Sequence, residues 1–70
     1  MRNKAVGDLI KNKRTTKNIS ASEIAKNLTI SEDKYIQFEN GEQSFYIDDI
    51  TVISHILDIS AYELLKAYGV

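Results

Sequence analysis

Apolar side chains recur at helical spacing in five stretches of the chain, each bounded by residues that start or stop helices. The first stretch runs from about Lys4 to Lys17. Val6, Leu9 and Ile10 share one stripe there, and Thr15, Thr16 and Asn18 weaken the helix behind them. The second opens at Ser20 and stops near Asn27. Ser20 and Glu23 have the spacing of a capping box, Ile19 and Ile24 that of a hydrophobic staple, and Ile24, Ala25 and Leu28 form the inner face. After a tight Thr29-Ile30 connection, Ser31 reads as the N-cap of a third helix that continues to Asn40. Glu32 and Asp33 sit on its first turn, and Gly41 supplies a left-handed exit. Tyr35 and Phe38 are its inward residues.

A short loop from Glu42 to Tyr46 follows. The fourth helix starts near Asp48-Asp49, carries Ile50, Ile53, Ile56 and Leu57 as its stripe, and is broken by Asp58. Ser60 and Glu63 form a second capping box. It opens a fifth helix from about Ala61 to Tyr68, which packs Leu64 and Leu65 and ends at Gly69. This pattern predicts a single all-α domain over residues 1–70, with no repeat, linker or low-complexity segment.

Composition narrows the picture. The 70 residues contain no cysteine and no proline, so neither disulfides nor thiolate metal sites brace the fold, and helix packing must do so. A domain of this size buries only about 60% of its unfolded surface, which leaves a thin margin of stability. No apolar run approaches the ~20 residues that span a bilayer. The basic start Met1-Arg2-Asn3-Lys4 lacks the apolar stretch of a secretory signal. A cytoplasmic protein with no membrane partner is the expectation.

Charge is unevenly placed. Arg2, Lys4, Lys11, Lys13, Arg14 and Lys17 face only Asp8 in the first stretch. Beyond Asn18, Lys26, Lys34 and Lys66 face Glu23, Glu32, Asp33, Glu39, Glu42, Asp48, Asp49, Asp58 and Glu63. The net charge of −1 therefore joins a basic first segment to an acidic remainder. A basic surface over the whole domain, the usual footprint of nucleic-acid binding, is missing.

Catalysis finds no support. His55 is the only histidine, and neither a cysteine, a paired histidine nor a glycine-rich phosphate loop accompanies it. Asp48 and Asp49 point about 100° apart on a helix, and a first-turn charge accounts for both. No catalytic residue, metal ligand or cofactor is assigned.

The stretch from Ile19 to Gly41 is the informative one. Ser20-Ala21-Ser22-Glu23-Ile24-Ala25, the turn Leu28-Thr29-Ile30-Ser31 and the closing Phe38-Glu39-Asn40-Gly41 stand in order. Arg14 lies ahead of them and Leu57-Asp58-Ile59-Ser60 behind. This resembles the Cro/repressor-type helix-turn-helix, or XRE, family over most of the chain. The resemblance implies a five-helix, lambda-repressor-like domain whose second and third helices form the helix-turn-helix. It also implies a pairing of Arg14 with Glu39, leaving Arg14 either a tie between the first and third helices or a phosphate contact.

By the same resemblance the third helix enters the DNA major groove. Base-edge positions then fall on Glu32, Asp33 and Gln37, and Gln37 suits adenine N6 and N7. Phosphate positions fall on Arg14, Ser20, Ala21, Ser31, Lys34 and Asn40, the serines at helix N-termini. Thr29 stands where relatives carry a left-handed glycine, so either the turn is wider or Asn27 takes the strain.

Two functions follow as expectations. One is a DNA-binding regulator of phage, plasmid or restriction-modification type. It would be a homodimer on a palindromic operator, with Leu65, Tyr68 and Val70 as a candidate dimer surface. The other is a protein-binding module on the same scaffold, an antirepressor or antitoxin-like partner of another regulator. Its interface set is Tyr35, Ile36, Phe45, Tyr46, Leu65 and Tyr68, with Ile47 beside them. The shortage of cations and the acids at Glu32 and Asp33 weigh toward the second, and the family resemblance weighs toward the first.

Overall fold

The computed structural model describes residues 2–28, 30–67 and 69. Five helices run in order: α1 (Arg2–Thr16), α2 (Ala21–Leu28), α3 (Glu32–Glu39), α4 (Ile47–Leu57) and α5 (Ala61–Ala67). Among the described residues, serine side chains cap the starts of α2, α3 and α5, and left-handed residues follow the ends of α1, α3 and α4. No strand occurs among the described residues. The all-α expectation holds, with helix ends displaced by a residue or two, as expected where terminal turns fray.

The predicted caps are formed. Ser20 Oγ accepts from Glu23 N–H at 3.1 Å and Glu23 Oε1 accepts from Ser20 N–H at 3.4 Å, closing the capping box of α2. Ser31 Oγ accepts from Lys34 N–H at 3.1 Å, and Ser60 Oγ from Glu63 N–H at 3.1 Å. Asp48 and Asp49 fall on the first turn of α4, behind an extended Tyr46.

Among the described residues, α1, α3 and α4 each close with a Schellman turn around a left-handed residue, and only that of α3 is glycine. Asn18 (φ 59°), Gly41 (φ 82°) and Asp58 (φ 54°) each reverse the chain. The next residue's N–H then reaches back one turn: Ile19 to Arg14 carbonyl at 3.1 Å, Glu42 to Gln37 at 3.0 Å, Ile59 to Ser54 at 3.0 Å. Asparagine and aspartate are the side chains best suited to this conformation after glycine. Asn27 does not share it. It lies inside α2 and donates from Nδ2 to the Glu23 carbonyl at 2.9 Å, so it takes no strain from the turn. The expectation placed on Thr29 falls outside the described residues.

The apolar stripes converge on one core: Val6 and Ile10 from α1, Ile24, Ala25 and Leu28 from α2, Tyr35 and Phe38 from α3, Ile50, Ile53 and Leu57 from α4, and Leu64 from α5. Phe45, from the loop before α4, completes it. Its ring lies 5.0 Å from that of Phe38. Helix α3 packs against both α1 and α2, α1 also against α5, and α4 against α2 and α5.

Gly7 allows α1 and α3 to meet. A Cβ there would lie 2.1 Å from the Glu39 carbonyl oxygen, so the two backbones touch where any side chain would part them. Gly41 repeats the device one turn away, since a Cβ on it would stand 2.8 Å from Lys4 Cα. Both ends of the seam place α3 at a fixed height on α1.

Candidate nucleic-acid interface

The rear of α3 is fixed by a buried ionic network. Arg14 donates from Nε to Glu39 Oε2 at 2.7 Å, from Nη2 to Glu39 Oε1 at 3.1 Å, and from Nη1 to the Ile19 carbonyl at 3.0 Å. Tyr35 donates its hydroxyl to the same Glu39 Oε2. The fork-to-fork geometry is the strong form of this pair. The hydrogen bond to Glu39 raises the Arg14 pKa above its ordinary value. Burial, followed by the bond to the Glu39 carboxylate, pushes the Tyr35 hydroxyl far above the ordinary tyrosine range. The Arg14 side chain is 13% exposed and that of Glu39 5%. Of the two roles left open for Arg14, the structure shows the tie between helices. As a phosphate contact Arg14 is corrected, because its guanidinium is committed to Glu39 and the Ile19 carbonyl.

The front of α3 carries no such bonds. Glu32, Asp33, Ile36 and Asn40 are exposed there, with Lys34 and Gln37 half-buried at the margins. Ser20 and Ser31 are exposed at the starts of α2 and α3, and Ala21 is half-buried beside Ser20. All of these base-edge and phosphate positions therefore reach solvent at least in part. Gln37 has a partner that the sequence did not disclose: Gln43 donates from Nε2 to Gln37 Oε1 at 2.6 Å. The Schellman turn at Gly41 brings Gln43 there by folding the chain back over the last turn of α3.

The apolar interface set divides. Ile36 is 37% exposed and Tyr46 62%. Leu65 is half-buried. Tyr35 and Phe45 are corrected: they are 0% and 6% exposed and belong to the core, because each has a neighbour (Ile36, Tyr46) that takes the outward position instead. Tyr68 and Val70 lie outside the described residues. Ile47, at 67%, joins Tyr46 at the start of α4, and the edge of the Tyr46 ring rests on Phe38 at 6.1 Å. Tyr62 on α5, 70% exposed, was not anticipated.

Helix α3 carries one cation, Lys34. Lys4 is paired with Asp8 at 2.6 Å, and Lys13 stands 3.9 Å from Glu63. Such exposed pairs contribute little. Lys11, Lys17 and Lys26 are exposed. Partial burial, and then the neighbouring charge of Asp48, raise the Asp49 pKa at the head of α4. Among the described residues no group of three or more histidine, cysteine, aspartate or glutamate side chains is placed to hold a metal ion, and no helix is long and apolar enough to cross a membrane.

Comparison of the chain with protein-family models, with curated proteins and with solved structures found no match. The functional reading therefore rests on the residues themselves.

Proposed function

We propose that the chain is a small sequence-specific DNA-binding regulator in which α2 and α3 act as a helix-turn-helix and α3 enters the major groove. One observation carries this reading. An eight-residue helix is held rigidly from behind while Asp33, Gln37 and Asn40, side chains able to address base edges or phosphates, reach solvent in front. The exposed, serine-capped starts of α2 and α3 supply backbone N–H groups for phosphates without added cations. Regulators of this kind act as homodimers on palindromic duplex sites, and half-buried Leu65 on α5 is the described part of the candidate dimer surface.

A second reading is favoured by the apolar exposure of Ile36, Tyr46 and Ile47 next to Glu32, Asp33 and Asp48. This is the composition of a face for a basic protein partner such as another regulator. A salt titration separates the two. A DNA-binding chain retains duplex at about 50 mM salt and loses it steeply as salt rises. Flat, negligible binding at that salt, together with a partner lost on Ile36→Glu, would leave the protein-binding reading in its place.

A further inference from the structure

We infer that Gln43 sets the base preference of Gln37, turning it into a reader of hydrogen-bond acceptors. This rests on the reading of α3 as the helix that faces DNA. A glutamine amide is ambivalent. Free to rotate, it offers a carbonyl and an NH₂ side by side, the pattern that pairs with adenine N6 and N7. In this chain the ambivalence is removed. The Gln37 carbonyl oxygen accepts from Gln43 Nε2 at 2.6 Å in a partly buried bond. Gln37 Nε2 has no partner within the described residues and carries two hydrogens. The edge left for a ligand is a donor edge.

The backbone explains why Gln43 is in place to do this. Gly41 at φ 82° sends Glu42 N–H back to the Gln37 carbonyl at 3.0 Å, which fixes the path of the chain over that turn. Phe45 is then anchored against Phe38 at 5.0 Å. Gln43 lies between two fixed points, so its amide is presented to Gln37 at low entropic cost. A donor edge matches guanine O6 and N7 or thymine O4 in the major groove. Adenine presents a donor beside its acceptor, and cytosine presents only a donor. Gln43 is thus a positioning residue that acts through Gln37 and touches no base itself.

The test is selection of bound sites from a randomised duplex library with the full chain and three variants. Circular dichroism confirms that all four fold. The wild-type chain selects guanine or thymine at one position of the half-site, and Gln37→Ala abolishes preference at that position. Gln43→Ala frees the Gln37 amide and broadens the position to include adenine. Gln43→Glu introduces a group that can only accept, so the Gln37 amide must turn and donate to it. The outward edge becomes a carbonyl, and preference moves to adenine or cytosine at that position alone. A selected site whose preference is the same in the wild type and both Gln43 variants overturns the inference and leaves DNA binding intact. A library from which no duplex is retained overturns DNA binding, and this inference with it.

Discussion

The two sides of α3 differ in almost everything except their shared backbone. The rear holds a forked ion pair, a buried tyrosine hydroxyl and a glycine contact at which two backbones touch. The front holds two carboxylates, an exposed isoleucine and an amide tied only to the neighbouring loop. The difference teaches where stability resides. Substitutions behind α3 act on folding, and under either proposed function substitutions in front act on binding.

The largest effect is expected from Glu39→Ala. It leaves a guanidinium and a hydroxyl without their acceptor in a region where Arg14 is 13% exposed and Tyr35 fully buried. Removing one partner of a buried pair costs about 3–5 kcal/mol, which rivals the whole stability of a domain this small. Urea unfolding should show a chain largely unfolded in buffer. A midpoint close to that of the wild type would mean that the network is ornamental. Gly7→Ala follows, at about 3 kcal/mol, because its Cβ cannot share space with the Glu39 carbonyl and α3 must move away from α1. Ala5→Ser, at an exposed position on the other side of α1, serves as the control that should shift the midpoint little.

Tyr35 converts the comparison into a pH experiment. Burial and the Glu39 bond raise its pKa in the folded chain above the unfolded value of about 10. The folded state therefore holds the phenolic proton that the unfolded state releases. The associated stability is complete below about pH 10 and is lost as pH rises beyond it, by about 1.4 kcal/mol per unit. Tyr35→Phe removes a hydrogen bond to a carboxylate, for about 1.5–3 kcal/mol near neutral pH, and flattens the alkaline loss. Urea midpoints at about pH 8 and about pH 11 for both proteins check this. Equal alkaline slopes would assign the loss to other groups.

The sequence disclosed the parts of this contrast that are encoded locally. The serines at 20, 31 and 60, each three residues ahead of the N–H it caps, were legible because a cap and its partner sit within one turn. The αL roles of Asn18 and Asp58 were fainter, since such residues also end helices by other means. Gly7 gave no local signal, because the atom that excludes a Cβ belongs to Glu39 on another helix. The same holds for Gln43, whose partner is set by a Schellman turn and not by periodicity. In the adjacent apolar pairs Tyr35-Ile36 and Phe45-Tyr46 only one member of each could be inward. Helical phase put Tyr35 inside, but nothing in the loop ranked Phe45 over Tyr46 until the ring of Phe38 did so.

The smallest effect on folding should come from the front. Glu32→Gln and Asp33→Asn remove two exposed charges that favour the first turn of α3 through its dipole, so each should cost about 0.5 kcal/mol of stability. Their effect on binding runs the other way. A carboxylate beside a phosphate backbone is repelled, and at 0.1 M salt the repulsion extends over about 10 Å. Duplex affinity should rise several-fold in the double variant, most at low salt, while the urea midpoint falls slightly. A protein partner that recognises the acids would respond oppositely and bind the double variant more weakly. The sign of that one change therefore tells which of the two macromolecules the front of α3 is shaped to meet.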